Sequence, residues 1–582
     1  MCSIIGYRGG SDAAPVIVGA LGRMEYRGYD SVGVATCDGG AISVRKGTGR
    51  VAEVNGRAGL DALRGTTGIG HTRWATHGGV TDANAHPHQS NSGSIAIVHN
   101  GIIENHEDLK RSLEADGYEF ASETDTEVVA NLLQRNMASG DPKEAVLRTV
   151  SELEGQYAFV AMFGDGRIAA ARYHEPLILG VGAGEIFLSS DVLGFVEYTD
   201  EAVYVGDGSI VMIDGEGFSI YGFDGAEAPH EVTKVSKEFG DAYKGDYAHF
   251  TLKEIHEQPE TVAGAGLRTA GAIAEAAARI RGAGGAYVTG SGSSYNAALL
   301  ARQILPGARI EPVIASEFQF SAGNIERGSV LVAMSQSGES ADVLEAVRIA
   351  RGAGCSVISV VNITSSTLAR QSDVVIGMGC GPEIGVAATK SFTAQLAILY
   401  RMAAEMGGGG SGLDGAPASI TRMLAGTSAV KRVAAGLRDV SDIYVLGRGI
   451  HYPVAIEAAL KLKELTYIHA EGIAGGELKH GPLALMDSSV HVVIINPGDA
   501  TYKDTLTSAR EIRARGARII GISDRGSDIY DDWIEIPAGG GPGGPYPILE
   551  MIPVQLLSYY AALAKDTDPD YPRNLAKSVT VR

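Results

Sequence analysis

Hydrophobic and polar residues alternate in short runs along the first 240 residues of the chain. The segments SIAIVHNG, YAFVAMF, EIFLSS and SIVMIDG follow this pattern and are separated by Gly and Asp turns. A period of two predicts strands, so we expect stacked antiparallel sheets here. Helices are interleaved with them, and residues 125–138 carry apolar side chains at helical spacing.

From about residue 245 the pattern becomes strand, Gly or Ser loop, then long amphipathic helix. This alternation predicts parallel sheets with helices on both faces. The frame Y-V-x-G-x-G-x-x-Y occurs at 287–295 and again at 444–452, each time followed by a helix and then by a second strand near Val330 or Val490. Two copies of one α/β module are the simplest interpretation. The predicted divisions are 2–240, 246–425, 435–573 and a C-terminal tail, 574–582.

Composition and charge narrow the class of protein. The 582 residues are too many for one core, and 45% hydrophobic with 20% charged residues is typical of soluble globular proteins. No apolar run is long enough to span a membrane and the first residues do not resemble a secretory signal, so a cytoplasmic location is expected. The net charge of -20 disfavours nucleic acid and anionic membranes as partners.

The four cysteines lie far apart and form no C-x-x-C pair. A structural zinc or a disulfide framework is therefore not expected. Cys2 directly follows the initiator methionine, and removal of that methionine would leave a free α-amine beside the thiol. With an ordinary pKa of about 7.7–8.0, this amine could accept the thiol proton. A cysteine at the second position can also be an accident, and by itself it is weak evidence.

Two further motifs in the first half strengthen the case for acyl transfer. Residues 71–77 read HTRWATH after an apolar Gly-Ile-Gly, and residues 97–101 read IVHNG at the end of an alternating strand. An Asn side-chain amide beside a Gly backbone N–H offers two donors for an oxyanion. Asn100 and Gly101 could equally be only a tight turn, and both interpretations can hold together.

These motifs, with Cys2, the YRGYDS stretch at 26–31 and Thr124 before Asp125, resemble class II glutamine amidotransferases. The resemblance implies an α+β N-terminal-nucleophile domain of the αββα type. It also implies that Arg73 binds the glutamine α-carboxylate and Asp125 its α-amine, while Asn100 and Gly101 form the oxyanion hole. The remaining residues that it places at the glutamine pocket are Thr76, His77, His86 and, as the gate for ammonia, Trp74.

In the second half, Gly and Ser loops follow two apolar strands. Residues 332–340 read VAMSQSGES and open the predicted helix Ala341–Gly352, while residues 290–294 read GSGSS. Hydroxyls and N–H groups at a helix N-terminus attract anions, although serine caps are common without ligands. The lone G-x-G is weak, and no Walker motif is present. Two such loops one strand apart favour a phosphomonoester.

A predicted helix at 453–465 carries Glu457, Lys461 and Glu464 on one stripe. The stripe could be an exposed ladder of ion pairs. It could also be a lysine and a carboxylate poised to move a proton between neighbouring carbons of a substrate. His480 follows in a loop bounded by Gly and Pro. Periodicity does not choose between the two interpretations.

These motifs and the terminal NLAKSVTV at 574–581 resemble the sugar isomerase (SIS) domains of the isomerizing glutamine–fructose-6-phosphate aminotransferase family. The resemblance implies conversion of D-fructose 6-phosphate and L-glutamine to D-glucosamine 6-phosphate and L-glutamate, with ammonia channelled between two sites. It assigns Glu464 as the isomerisation base, Lys461 as its assistant and Lys577 as the imine-forming amine. Phosphate ligands would be Gly292, Ser294, Ser335, Gln336, Ser337 and Ser340.

The same resemblance implies a homodimer, because His480 would open the sugar ring in the neighbouring subunit's site. Neither pyridoxal phosphate nor a metal is required, since the sugar's own carbonyl accepts the nitrogen. Ala388, Ser340 and Arg582 depart from the residues common in the family, and Ala388 removes one possible contact to a sugar hydroxyl.

The sequence leaves three alternatives open. One is an amidophosphoribosyltransferase, which would need an acidic pair after an apolar strand that Asp531 and Asp532 do not provide. The second is a non-catalytic sugar-phosphate sensor. The third is a related enzyme that acts on another phosphosugar.

Overall fold

The computed structural model describes residues 2–75, 77–137, 140–215, 217–235, 244–407, 412–539 and 544–579. The chain divides into two compact units, Met1–Ala242 with Ser578–Arg582, and Tyr243–Lys577. Of the residues singled out from the sequence, Thr76 and Arg582 lie outside the described residues.

The first unit is built from two antiparallel sheets. Its described strands are β1 Ser3–Arg8, β2 Ser31–Asp38, β3 Ala41–Thr48, β4 Thr67–Arg73, β5 His88–Gln89, β6 Ile95–Ile103, β7 Gly155–Phe163, β8 Ile168–Tyr173, β9 Ile178–Gly182, β10 Glu185–Ser189, β11 Glu201–Tyr204, β12 Ser209–Ile213, β13 Phe218–Gly222 and β14 Thr233–Lys234. One sheet has the order β14-β11-β9-β10-β1-β4-β2-β3 and the other β13-β12-β8-β7-β6-β5.

Helices cover the outer faces of both sheets. They are α1 Ala13–Met24, α2 Val51–Ala58, α3 His106–Ala115, α4 Asp125–Asn136 and α5 Pro142–Glu152. Alternate residues of a strand serve different layers: Ala96 and Val98 of β6 pack between the sheets, whereas Ile95 and Ile97 pack beneath α4 and α5. Because the inner strands of each sheet are buried on both faces, the layers stack as α, β, β, α, as the amidotransferase resemblance implies.

The second unit contains two parallel sheets. The strands of the first are β15 Ala286–Gly290, β16 Ile310–Ile314, β17 Val330–Ser335, β18 Ser356–Val361 and β19 Val374–Gly377. Those of the second are β20 Asp442–Gly447, β21 His469–Ala474, β22 His491–Ile495, β23 Arg518–Ser523 and β24 Asp532–Glu535. The orders, β16-β15-β17-β18-β19 and β21-β20-β22-β23-β24, are the same, so the predicted repeat is confirmed.

The helices of the second unit lie before, between and after these strands. They are α6 Phe250–His256, α7 Gln258–Gly264, α8 Ala270–Gly282, α9 Ser293–Ile304, α10 Phe318–Ser321, α11 Ala341–Gly352, α12 Thr367–Arg370, α13 Lys390–Glu405, α14 Ala416–Ala425, α15 Ser428–Gly436, α16 His451–Thr466, α17 Tyr502–Arg513 and α18 Tyr546–Ala564. Among the described helices, α18 alone is long and apolar enough to span a membrane, but 83% of that segment is buried inside the protein.

The strand order decides where a ligand can bind. In each sheet the second strand lies on one side of the first strand, and the third strand lies on the other side. The connection after β15 therefore leaves toward one edge of the sheet and the connection after β17 toward the other, and the same holds for β20 and β22. A crevice opens at the carboxyl ends of such a pair. The edge strands β16 and β21 were not predicted, and the chain reaches Val330 and His491 only after them. Pro312 obscured β16, since proline is tolerated at a sheet edge but is not typical of a strand.

Candidate active site

Cys2 lies directly before β1, next to the end of the paired strand β4. Its Sγ accepts the backbone N–H of Trp74 over 3.2 Å and lies 3.5 Å from the Trp74 carbonyl oxygen. Burial raises the pKa of the Cys2 thiol, although the positive charge of the amino terminus, the Trp74 N–H and Arg73 each act to lower it. Since the thiolate is the nucleophile, this thiol requires a nearby base.

Asn100 reaches the cysteine from β6, in the other sheet of the same unit, and Gly101 directly follows it in that strand. Asn100 Nδ2 donates to the Cys2 carbonyl oxygen over 3.2 Å. Gly101 has φ +105°, and a Cβ at this position would lie 2.0 Å from the Gln156 carbonyl oxygen. The site therefore requires glycine, because any side chain would overlap with the neighbouring strand β7.

His71 fixes the orientation of the Asn100 amide. His71 Nε2 lies 3.0 Å from the His99 carbonyl oxygen and 3.1 Å from Asn100 Oδ1. Both partners accept, so Nε2 carries the hydrogen and Asn100 must turn its Nδ2 toward Cys2. Burial lowers the pKa of His71 to about 3, and the ring stays neutral at pH 7. The sequence placed His71 in a motif but assigned it no role.

Arg73 is almost fully buried at the end of β4. Its guanidinium donates to the carbonyl oxygens of His77, of Gly78 over 3.4 Å and of Gly79 over 3.1 Å. The loop after the strand thus wraps around the charge and holds it beside the thiol. A planar guanidinium held in this way could bind a carboxylate through two parallel hydrogen bonds.

Asp125 begins α4 and is 5% exposed. Its Oδ2 accepts the backbone N–H of Ile103, over 2.9 Å, and its Oδ1 lies 3.9 Å from His99 Nδ1. These contacts join the start of the helix to the end of β6, three residues beyond the Asn100 amide. Asp125 is thereby held as a buried carboxylate in the region where the amidotransferase resemblance expects an ammonium ligand.

Two aromatic side chains from the sequence motifs pack around this site. His86 stacks on His71 with ring centroids 4.2 Å apart, and burial together with the neighbouring His71 lowers the pKa of His86 well below its usual value. Trp74 meets Tyr29 edge to face, with centroids 5.7 Å apart. Both contacts are consistent with packing roles, and the proposed roles in glutamine binding and gating stay predictions.

In the second unit, the loops after β15 and β17 lie on either side of the crevice at the switch in strand order. Ser335 Oγ accepts the Gly338 N–H over 3.0 Å and lies 3.4 Å from Ser340 Oγ, while Ser337 Oγ accepts the Glu339 N–H over 3.2 Å. Ser340 is the N-cap of α11. This arrangement gathers hydroxyls at a helix N-terminus, which suits a phosphate.

The other phosphate candidates occupy the neighbouring loop and strand end. Gly292, with φ +54°, is the N-cap of α9, and Ser294 Oγ accepts from Gln395 Nε2 over 2.9 Å. The Gln336 carbonyl oxygen accepts the Asn362 N–H over 3.2 Å. The structure therefore brings all the sequence-predicted phosphate residues to two adjacent strand ends.

The stripe on α16 is buried rather than exposed. Lys461 Nζ lies 2.5 Å from Glu464 Oε2 and 3.4 Å from Glu457 Oε1, and it donates to Ser293 Oγ over 3.1 Å. Glu457 also accepts from Asn296 Nδ2 over 2.7 Å. The interpretation as a solvated ladder of ion pairs is wrong, because α9 packs its polar first turn against this face of α16.

Burial opposes the charge on Lys461, but Glu464 and Glu457 together hold its pKa above the usual value. Burial raises the pKa of Glu457, and Lys461 only partly offsets it. Glu464 differs from its partners because its side chain is 19% exposed. It lines a cavity of about 450 Å³ together with Tyr467 and Arg573. An open carboxylate beside a buried ammonium suits proton transfer.

Lys577 contacts a carboxylate to which no sequence motif assigns a role. Its Nζ lies 2.5 Å from Glu383 Oε2 and donates to the Gly385 carbonyl oxygen over 2.8 Å. Burial alone would raise the pKa of Glu383, but Lys577 overrides it and lowers the pKa to about 2. Glu383 and Lys577 are 194 residues apart in the chain, so no local pattern could have joined them.

His480 ends the short 3₁₀ helix Glu477–His480 and is exposed. Ala388 lies half-buried in the segment that leads from Glu383 into α13. Within the described residues, no group of three or more His, Cys, Asp or Glu side chains is arranged to bind a metal ion.

Comparisons with known proteins match both units. A glutamine amidotransferase domain model matches residues 71–196, and a SIS domain model matches residues 279–405 and 436–565. The glutamine–fructose-6-phosphate aminotransferase (isomerizing) of Pyrococcus horikoshii is 42% identical over 602 residues and is covered completely, as is this chain. That of Methanothermobacter thermautotrophicus is 42% identical over 596 residues, again with both chains covered completely.

Among solved structures, the C-terminal domain of glucosamine-fructose-6-phosphate aminotransferase from Francisella tularensis matches with a TM-score of 0.50 and 32% identity. The match covers 56% of this chain and 99% of that one. The domain models and the full-length relatives confirm the predicted order of an amidotransferase domain and two SIS domains. The chain therefore belongs to the glutamine–fructose-6-phosphate aminotransferase (isomerizing) family.

Proposed function

We propose that this protein converts D-fructose 6-phosphate and L-glutamine to D-glucosamine 6-phosphate and L-glutamate. The observation that carries the proposal is the pairing of two chemical sites in one chain. The Asn100 amide donates to the Cys2 carbonyl oxygen in the amidotransferase unit, and the Lys577 amine lies against Glu383 in the SIS unit. The Cys2 thiol releases nitrogen from glutamine, and the Lys577 amine activates the sugar carbonyl that receives this nitrogen.

In the amidotransferase unit, Cys2 Sγ attacks the glutamine side-chain amide carbon. The α-amine that is freed when Met1 is removed accepts the thiol proton and passes it to the departing nitrogen. The Asn100 Nδ2–H and the Gly101 N–H stabilise the tetrahedral oxyanion. Ammonia leaves, and water hydrolyses the glutamyl thioester to glutamate and restores the thiol. Arg73 and Asp125 hold the α-carboxylate and α-amine of glutamine, with His77 and His86 around them, and the assignment of Thr76 to glutamine binding rests on the family resemblance alone.

Ammonia must stay neutral to act as a nucleophile. In bulk water near pH 7 it would be protonated, so we propose that it passes internally to the sugar, with Trp74 as the gate. This transfer explains why the two activities belong in one chain.

In the SIS unit, the serine hydroxyls and N–H groups at 290–294 and 335–340 hold the phosphate. The Lys577 amine forms an imine at C2 of the open ketose and releases water, and ammonia then displaces the lysine. Glu464 removes a proton from C1 and returns one to C2, which yields the aldose amine. Lys461 stabilises the negative charge that Glu464 carries before it takes the C1 proton and again after it returns one to C2.

We further propose a cytoplasmic homodimer. The ring of the sugar would be opened by the partner subunit's His480, which agrees with the exposure of that side chain on its short helix. Equilibrium sedimentation at micromolar concentration should give twice the chain mass of 60.6 kDa.

The test is a product assay with two nitrogen sources. The unmodified protein should form glucosamine 6-phosphate from fructose 6-phosphate with either glutamine or ammonium. Cys2→Ala should lose the glutamine reaction and keep the ammonium reaction, whereas the buried Cys37→Ala should keep both. A sugar-phosphate sensor would form no product, and an enzyme for a different phosphosugar would require another acceptor.

A further inference from the structure

A buried carboxyl group that the proposed mechanism does not use lies behind the loop that holds Lys577. Glu254 on α6 is 1% exposed. Its Oε1 accepts two backbone N–H groups, from Ile384 over 2.5 Å and from Gly385 over 3.2 Å. Glu254 thus anchors the residues that directly follow Glu383.

Gly385 links Glu254 to the lysine. Its N–H points to Glu254, and its carbonyl oxygen accepts from Lys577 Nζ over 2.8 Å. A Cβ on Gly385 would lie 2.7 Å from Thr251 Oγ1 and 3.0 Å from Glu254 Oε2. Because α6 packs this closely, any movement of the Glu254 carboxyl group is transmitted to the backbone that positions the amine.

The second oxygen of Glu254 indicates its charge. Oε2 is buried and has no hydrogen-bond partner among the described residues. An ionised oxygen in that position would be far more costly than a protonated one. The charged groups acting on Glu254 are Glu383, Lys577 and Lys390, and the Lys390 ammonium is already 2.6 Å from Glu257.

The pKa values of Glu254 and Glu383, the two carboxyl groups near Lys577, are shifted in opposite directions. Burial, with the charge of Glu383, raises the pKa of Glu254 to about 8, while that of Glu383 is lowered to about 2. At pH 7 Glu383 therefore carries a negative charge against Lys577, and Glu254 carries a proton. In general, each carboxylate beside an amine favours the ammonium form of that amine, and an ammonium cannot attack a carbonyl.

We propose that Glu254, in its protonated form, is a positioning residue for the Lys577 amine, acting through the backbone of Ile384 and Gly385. The inference rests on the proposed role of Lys577 in forming an imine with the sugar. Glu254 holds the loop firmly and adds no charge beside the amine.

The first test traps the imine. Borohydride reduction in the presence of fructose 6-phosphate, followed by mass spectrometry of the Lys577 peptide, measures adduct formation directly. Glu254→Gln keeps the size, the neutral charge and the accepting oxygen, so it should form adduct within about 3-fold of the unmodified rate. Glu254→Ala should slow it at least 10-fold, with little change in the affinity for the sugar phosphate. The exposed Glu260→Ala on α7 is the matched control and should change nothing.

The second test uses pH and does not depend on the folding of the alanine variant. An unfolded glutamic acid loses its proton near pH 4.5, whereas native Glu254 keeps it to about pH 8. Folding therefore takes up a proton between these values, and stability falls as pH rises through this window. The melting temperature of Glu254→Gln, relative to that of the unmodified protein, should therefore increase as the pH is raised from 5 to 8. The synthase activity of the unmodified protein should decline above about pH 8, and that of Glu254→Gln should lack this decline.

Four results would overturn the inference. Adduct formation in Glu254→Ala at the unmodified rate would show that the residue does not position the amine. An equal loss in Glu254→Gln and Glu254→Ala, or identical pH profiles of Glu254→Gln and the unmodified protein, would exclude the protonated form. Absence of adduct in the unmodified protein would instead refute the role of Lys577, and the inference with it.

Discussion

His71 donates its Nε2–H to Asn100 Oδ1 over 3.1 Å, and the same amide donates through Nδ2 to the carbonyl oxygen of Cys2. The neutral His71 thus fixes the orientation of the Asn100 amide, which is a proposed hydrogen-bond donor to the oxyanion. If the Asn100 amide could rotate freely, a fraction of the protein molecules would direct its oxygen, which cannot donate a hydrogen bond, toward the oxyanion. The fixed amide always presents hydrogens.

His71→Ala should therefore lower kcat for glutamine hydrolysis about 10- to 100-fold, part of the ~10²–10³ that loss of an oxyanion donor costs. KM for glutamine should change little, since His71 is not among the residues proposed to hold the α-carboxylate and α-amine of glutamine. His71→Gln, which restores a donor, should recover part of the rate. Ammonium-dependent synthesis by the same variants serves as the control for folding, and an unchanged kcat in His71→Ala would contradict the prediction.

Gly101→Ala should abolish glutamine hydrolysis, because its Cβ would lie 2.0 Å from the Gln156 carbonyl oxygen and displace the strand end. Gly93→Ala is a matched control: it also has a positive φ, +69°, but no atom lies within 4 Å of its added Cβ. The control should lose only about 1–2 kcal/mol of stability from the left-handed backbone. Measured kcat and urea midpoints of the two variants separate steric overlap from backbone strain, and equal kcat values would refute the requirement for glycine.

Lys461→Met should destabilise the protein by about 3–5 kcal/mol at pH 7, since it leaves a buried carboxylate without its cation. Glu457 is 0% exposed, and the loss should shrink toward pH 5 as this group, whose pKa burial raises, takes up a proton. Lys463→Met on the exposed side of the same helix should stay within about 0.5 kcal/mol of the unmodified protein. Thermal unfolding at both pH values checks the prediction, and equal effects of the two substitutions would contradict it.

A second buried ion pair lies at the start of α16. His451 is 2.8 Å from Glu550 and 3.0 Å from Asp499, and although burial opposes its charge, these carboxylates raise its pKa to about 10. Because the folded pKa exceeds the usual 6.5, the stabilisation is complete below pH 6.5 and is lost as pH rises toward 10.

His451→Gln should therefore lower the melting temperature strongly at pH 6 and much less at pH 10. His469→Gln provides the control, since its 3.0 Å contact with Asp442 has the same length but lies exposed to solvent. A loss that does not depend on pH in His451→Gln would show that the histidine is not protonated in the folded protein.

Local sequence patterns predicted helices and strands well where the spacing of apolar residues follows the period of a helix or a strand. The helix Ala341–Gly352 has the bounds that its cap and periodicity indicate. The alternating runs became β6, β7, β10 and β12. The edge strand β16 was missed because a short segment with a proline at its centre carries little periodicity.

Burial was decided only by packing. The spacing of Glu457, Lys461 and Glu464 is the same on an exposed helix and on a buried one, so the sequence left both interpretations open. In the folded protein, Ser293 and Asn296 supply hydrogen bonds to this face. The partner helix lies more than 150 residues away in the chain, as the separation of 164 between Ser293 and Glu457 shows.

The sequence by itself determined the periods of the helices and strands, the repeated α/β module, and the side chains that are candidates for catalysis and binding. These features depend only on neighbouring residues and on motifs with fixed spacing. Only the tertiary structure decided which groups meet: Glu383 with Lys577, Glu254 with Gly385, His71 with Asn100. Such pairs form across long stretches of chain, and their charge states follow from burial and from neighbours that only the complete fold supplies.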